Sequence, residues 1–204
     1  MELIKSISGI RGIVGKTLHN STVNSYTNIF THIQDKGDIL LARDSRWHGE
    51  DLYDSICETL TIMGRDVISC GIIPTPTAQF IIKEKKLAGG IVVTASHNPI
   101  EWNGLKFLDS DGCFLNADKM EDLLSCNPET ITIDKGDVIE SEDAYLKHID
   151  NVLNLECIDI VFCCFWFLVS GFRTQEFGLW ILVYDFWFLA VVFWCLFSRC
   201  WTSD

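Results

Sequence analysis

Three short, largely apolar runs set the architecture open to this chain: Ile39-Leu40-Leu41-Ala42, Asp66 to Ile73, and Gly90 to Thr94. Apolar on successive residues, not alternate ones, such runs suit strands buried on both faces, as in a parallel sheet covered by helices. Helical periodicity fills the gaps between them. Val23, Tyr26, Phe30 and Ile33 predict a helix from about 21 to 34 that Gly37 closes, and Leu52, Ile56, Leu60 and Met63 mark a second that ends at Gly64. Pro74-Thr75-Pro76-Thr77 breaks regular structure and starts a third helix through Phe80 and Ile81. The fold expected is α/β, a three-layer α/β/α domain with a mixed, mostly parallel sheet.

Beyond Thr94 the reading is a long polar loop, then a hairpin of Lys106-Phe107-Leu108 and Cys113-Phe114-Leu115 around Asp109-Ser110-Asp111-Gly112. The turn has the first spacing of a calcium loop, but Cys113 stands at the next ligand position, so a tight turn is expected. A short helix follows from Asp118 to Ser125. Ser141, with Glu142 and Asp143 behind it, reads as the cap of a last helix whose apolar face is Tyr145, Ile149, Val152 and Leu153. His148 and Asp150, two apart on that helix, face different ways and predict no metal site.

Composition divides the 204 residues unevenly. Those after Ile160 hold 9 of the 13 Phe and 5 of the 7 Trp and contain no Pro, Lys or His. The chain carries 16 Lys and Arg against 28 Asp and Glu, a net charge of −12, which is the wrong sign for neutralising nucleic-acid phosphates. The first residues lack an apolar stretch of signal-peptide length. Nine Cys with no C-x-x-C pair argue against a disulfide scaffold or a common zinc site. Cys57, Cys70, Cys113, Cys126 and Cys157 read as reduced thiols, and a cytoplasmic setting is expected.

Chemistry concentrates in Thr94-Ala95-Ser96-His97-Asn98-Pro99, followed by Asn103-Gly104-Leu105-Lys106. The loop comes directly after a buried strand, where α/β sheets bind ligands. Ser96 offers a hydroxyl to carry a group, with donors and a base nearby, although for Ser96 in isolation a capped turn is the better reading, since Ser, Asn and Pro are common loop residues for conformational reasons alone. A second element, Ser8-Gly9-Ile10-Arg11-Gly12-Ile13-Val14-Gly15, reads as a Gly-rich loop whose backbone N–H groups and central guanidinium suit an anion. Arg43 and Arg46, in a helix-entry Asp-x-Arg turn, read as structural.

Taken together, S-G-I-R-G-x-x-G, A-R-D-S-R, I-P-T-P-T and T-A-S-H-N-P-x-x-x-N-G-x-K resemble, in order and spacing, the α-D-phosphohexomutase family. That family includes phosphoglucomutase, phosphomannomutase and phosphoglucosamine mutase. The resemblance spans residues 1–159 and implies the family's first domain. It implies Ser96 as phosphocarrier, Lys106 as general acid/base, Arg11 beside the transferring phosphate, and His97 and Asn98 orienting loop and phosphate, with Gly9 and Gly12 in the phosphate-binding loop. It implies a hexose phosphate substrate, reversible transfer between its 1- and 6-positions through a bisphosphate, and Mg2+, which Ser96 would ligate through its phosphate. The family's Asp-rich metal loop and sugar-recognition loop have no counterpart in this sequence, so the chain is expected to be a truncated, inactive form of a longer enzyme.

Residues 160–204 admit two readings. One is the product of a shifted reading frame. The other is a membrane segment at 177–197, 21 residues and about 31 Å as a helix, long enough for a bilayer despite Asp185. On the second reading the chain is a non-enzymatic, membrane-tethered domain. Membrane contact is expected through this tail alone, and oligomeric state is left open.

Overall fold

Alternation within the central strands decides the layering. In the computed structural model, which describes residues 2–128, 134–141 and 143–155, strand β3 (Ile39–Arg43) sends Ile39 and Leu41 into one core and Leu40 and Ala42 into another. All four side chains are fully buried. The remaining elements in chain order are β1 (Ile4–Ser6), β2 (Gly9–Ile13), α1 (Asn20–Ile33), α2 (Gly49–Ile62), β4 (Val67–Ile72), α3 (Thr75–Lys85), β5 (Gly89–Val93), β6 (Trp102–Asp109), α4 (Ala117–Ser125), β7 (Val138–Glu140) and α5 (Ala144–Leu153).

The strands form one sheet in the order β1-β2-β6-β5-β3-β4-β7. Pairs β5/β3, β3/β4 and β4/β7 are parallel, while β1/β2, β2/β6 and β6/β5 are antiparallel. Five of the seven strands therefore share one direction, and the sheet is mixed, as expected, with its parallel half at β5, β3, β4 and β7. Helices α1, α2 and α4 cover one face through Val23, Phe30, Leu52, Ile56, Met120 and Leu123. On that side the Phe30 and Phe107 rings pack at a tilt of 38° with centres 5.3 Å apart. Burial of each such ring stabilises the fold by about 1.5–3 kcal/mol. Helix α3 covers the other face with Ala78, Ile81 and Ile82, and α5 lies against it through His148, which stacks on Phe80 and bonds Thr77.

Several boundaries differ from expectation. Residues 102–106 are not loop: β6 begins at Trp102 and runs eight residues. Its hairpin partner is a single bridge, Leu108 to Phe114, not a second strand. The turn at Asp109–Gly112 is tight, as expected, with the Gly112 N–H on the Asp109 carbonyl. The Gly-rich segment is not a loop either; most of it is β2, hairpinned to β1. Ser141 does not cap the last helix. Its N–H extends the β7 ladder to the Ser69 carbonyl, and α5 starts three residues later.

The chain divides into two compact units, Met1–Val152 and Leu153–Asp204. The expected tail at 160–204, its 177–197 segment and Cys157 lie outside the described residues. Among the described residues no helix is long and apolar enough to cross a membrane.

Candidate functional site

The carboxyl ends of the neighbouring parallel strands β3 and β5 adjoin, so the segments that leave them meet. From β5 come residues 94–101, and from β3 comes Asp44 to His48. The Thr94 N–H still pairs with the Gly104 carbonyl, after which the chain turns and Asn98 donates back to Ala95. At the turn Ser96 has φ of 54°, a left-handed conformation uncommon for a residue with a Cβ. Its side chain is exposed, and no hydrogen bond engages its hydroxyl among the described residues.

The backbone of this turn is tied almost completely. Arg46 donates to the carbonyls of Ser96 (2.9 Å), Asn98 (2.8 Å), Pro99 (2.7 Å) and Trp102 (3.0 Å). Buried His48 holds the Ile100 carbonyl through Nε2 at 2.7 Å, and the Val14 N–H holds that of Glu101. Fully buried Asn103 fixes the His48 ring by donating to its Nδ1 at 3.2 Å. That bond leaves the His48 proton on Nε2, where it is used. From Ser96 to Trp102, only the carbonyl of His97 lacks a hydrogen bond of this kind among the described residues.

Strands β2 and β6 bring the cations. Arg11 pairs with Gly104 and Lys106 with Val92, so both side chains leave the sheet on the face that α3 covers. Helix α3 packs chiefly on β3 and β5, and the β2–β6 side of that face stays open. Ser96, Arg11, Lys106 and Gly9 consequently line one concavity. Its volume is about 30 Å³, an order of magnitude less than a small-molecule site. Arg11 makes one long bond, 3.3 Å, to Asn98 Oδ1. Lys106 Nζ lies 5.5 Å from the Phe114 ring centre. Neither cation has a carboxylate partner among the described residues.

The other expected residues fall as follows. His97 is exposed and outside the concavity's lining, whereas Asn98 joins the turn to Arg11. Gly9 lines the concavity, but close packing accounts for it: its φ is +113°, and a Cβ there would lie 2.0 Å from the Leu105 carbonyl oxygen. At Gly12 a Cβ would meet Thr17 Oγ1 at 2.6 Å. Arg43 bonds Glu50 and the Asp44 carbonyl at 3.3 Å, away from Ser96. Sequence reasoning missed Asp44, Arg46, His48 and Asn103 as partners of the turn. The signal available was the run Arg43-Asp44-Ser45-Arg46 at the carboxyl end of a buried strand.

Besides the Ser96 hydroxyl, this concavity offers magnesium no carboxylate among its lining residues. No three His, Cys, Asp or Glu side chains cluster among the described residues. Both oxygens of Asp44, the carboxylate tied to this turn, are already occupied by Arg46 and Thr94. These residues alone do not fit a resident magnesium site.

Residues 3–129 match the family described as phosphoglucomutase/phosphomannomutase, alpha/beta/alpha domain I. A phosphoglucosamine mutase of Prochlorococcus marinus subsp. pastoris is 39% identical over 115 residues, 55% of this chain and 25% of the relative. A crystal structure from Thermus thermophilus shares the fold with a TM-score of 0.65 at 24% identity, over 76% of this chain and 37% of that one. A phosphoglucomutase/phosphomannomutase family protein of Burkholderia thailandensis has a TM-score of 0.58 at 25% identity, over 71% and 35% of the two chains. The chain spans between about a quarter and a third of the length of the curated relatives it matches.

Proposed function

The chain belongs to the phosphoglucomutase/phosphomannomutase family through domain I of that family, and we propose on that premise that its turn carries a phosphoryl group on Ser96. The observation that carries this reading is the presentation of Ser96. An exposed hydroxyl stands on a left-handed backbone, in one concavity with two cations that lack carboxylate partners.

Phosphoryl transfer asks a protein mainly for position and for charge against the phosphoryl oxygens. Arg11 has four N–H groups left to grip those oxygens, since a single one is spent on Asn98. Lys106 serves as the acid/base. As the bond from phosphorus to Ser96 Oγ breaks, a bond to a sugar hydroxyl oxygen forms; that hydroxyl's proton passes to the base, and Oγ takes up a proton. In the reverse half-reaction the bisphosphate returns its other phosphoryl group to Ser96. Asn98 keeps Arg11 turned toward the site, and His97, at the tip, is left to meet the substrate side. Gly9 serves by letting β2 approach β6 closely enough to bring Arg11 alongside.

Turnover of a hexose phosphate, reversible between positions 1 and 6, is proposed for this domain joined to the remaining length its relatives have, because about 30 Å³ cannot enclose a sugar. The name of the Prochlorococcus relative makes glucosamine phosphate the first substrate to try. The test is incubation of the chain with a hexose 1,6-bisphosphate and peptide mass analysis. One phosphoryl group on Ser96, absent in Ser96→Ala, is expected; phosphorylation elsewhere, or none, would end the proposal.

A further inference from the structure

The two arginines that reach this turn are used in opposite ways. Arg11 spends one N–H and keeps four. Arg46 keeps none. Its Nε–H donates to Asp44 Oδ2 at 3.1 Å, and its four terminal N–H groups go to the carbonyls of Ser96, Asn98, Pro99 and Trp102. A guanidinium with all five donors engaged cannot take a phosphate without releasing the turn.

Asp44 extends the hold to the other side of Ser96. Its Oδ2 also accepts from Thr94 Oγ1 at 2.8 Å, and Thr94 Oγ1 in turn accepts the Ser96 N–H at 3.0 Å. One carboxylate thus anchors both peptide groups of Ser96, the N–H through Thr94 and the C=O through Arg46. Asp44 Oδ1 meanwhile takes the Arg46 backbone N–H at 3.1 Å, which fixes the clamp to its own strand end. Arg46 is only 13% exposed, with its bonds to the Asn98 and Trp102 carbonyls part-buried and those to Ser96 and Pro99 at the surface.

We infer that Arg46, anchored by Asp44, is a positioning residue for Ser96: it fixes the left-handed backbone that aims the hydroxyl between Arg11 and Lys106, and it never touches the phosphoryl group. This rests on the phosphocarrier role proposed above. Lysine cannot replace it, because an ammonium gives three donors from one point whereas the four carbonyls and the carboxylate are met by a planar fork.

The test compares the full chain with Arg46→Lys in three measurements: amide hydrogen exchange at Asn98 and Trp102, whose N–H groups close the turn onto Ala95 and Pro99; the rate of Ser96 phosphorylation by a hexose 1,6-bisphosphate; and far-ultraviolet circular dichroism. R46K is expected to keep its dichroism and the exchange protection of β3 and β5. Exchange at Asn98 and Trp102 should rise about tenfold or more. Phosphoryl loading should slow by about a hundredfold, the scale of a small misplacement of a reacting group, with little change in the bisphosphate concentration giving half the maximal rate. Undiminished protection of the two amides, or loading at the parent rate, overturns the inference. So does a loss confined to half-saturation, which would make Arg46 a phosphate ligand. If R46K fails to fold, Thr94→Val, which cuts the relay to the Ser96 N–H, takes the same measurements. If the parent chain accepts no phosphoryl group, the phosphocarrier reading fails, while the amide measurement still decides whether Arg46 fixes the Ser96 backbone.

Discussion

At Ser96 local stability and function pull apart. A residue with a Cβ held at φ of 54° carries about 1–2 kcal/mol of unfavourable conformational energy, tolerated because Asp44, Thr94 and Arg46 fix its neighbouring peptide groups. Glycine has no such penalty. Ser96→Gly is expected to raise stability toward urea by about 1 kcal/mol over Ser96→Ala, although both lose the hydroxyl; equal midpoints would show that the turn is unstrained. The glycines of β2 give the opposite lesson. Gly9→Ala pushes a methyl into the Leu105 backbone oxygen at a positive φ, and neither partner can retreat without parting β2 from β6. A loss of about 2–3 kcal/mol is expected, with slower Ser96 loading as Arg11 shifts. At Gly12 the obstacle is a side-chain oxygen, Thr17 Oγ1, which can turn aside for the bond it accepts from Ile13. Gly12→Ala should therefore cost about 1 kcal/mol, and denaturation curves of the two variants check the order.

Elements were legible in proportion to how completely they are buried. Strands β3, β4 and β5 are covered on both faces, so their apolar runs stand out against helical periodicity on either side. Strands β1 and β7 are three-residue edges with exposed side chains, and in β2 two glycines and an arginine mask the strand. The start of β6 was hidden for a related reason: Asn103 is fully buried yet polar, satisfied by His48 and the Gly104 N–H. Ser96, Arg11 and Lys106 were legible as motif residues. The clamp by Arg46 was not, because its bonds go to backbone carbonyls about fifty positions away and depend on the path of the turn, not on side-chain identity. The join between β6 and α4 supports a prediction at this scale. Burial alone would raise the Asp109 carboxyl, but hydrogen bonds from Lys119, from the Ser110 N–H and from Gln34 hold it below the ordinary carboxylate range. A folded-state pKa below the unfolded one gives stability that is present above the unfolded value and lost as pH falls through the folded value. The contribution of Asp109 should fade below about pH 4. Asp109→Asn should flatten that part of the stability–pH curve and lower stability at pH 7; an unchanged acid limb would place the dependence in other carboxyls.

For the molecule as a whole, the sheet makes two cores into one. Ile39, Leu41, Val67, Ile91 and Val93 belong to the α1/α2 side, while Leu40, Ala42, Ile68, Cys70 and Val92 belong to the α3 side, yet both sets hang from β3, β4 and β5. Releasing either core means breaking the ladders that hold the other, so the unit should open cooperatively. Cys70 reports on this directly. Burial pushes its thiol up to about 11, Lys85 opposing and Glu140 adding to the effect, and since the thiolate is the reactive form, Cys70 should resist alkylation at neutral pH while exposed Cys113 and Cys126 react in the native state. Leu41→Ala removes a fully buried side chain from the opposite core and is expected to cost about 2–5 kcal/mol. If the sheet couples the cores, the urea concentration at which Cys70 becomes labelled falls by the same amount as the midpoint of circular dichroism, although no atom of Leu41 belongs to the core that shelters the thiol. Peptide-resolved labelling keeps Cys70 separate from every other cysteine. Cys70 protection that persists in Leu41→Ala past the dichroism midpoint would mean that α3 and its face of the sheet hold together without the other layer, and the three-layer unit would then be two cooperative bodies sharing a sheet.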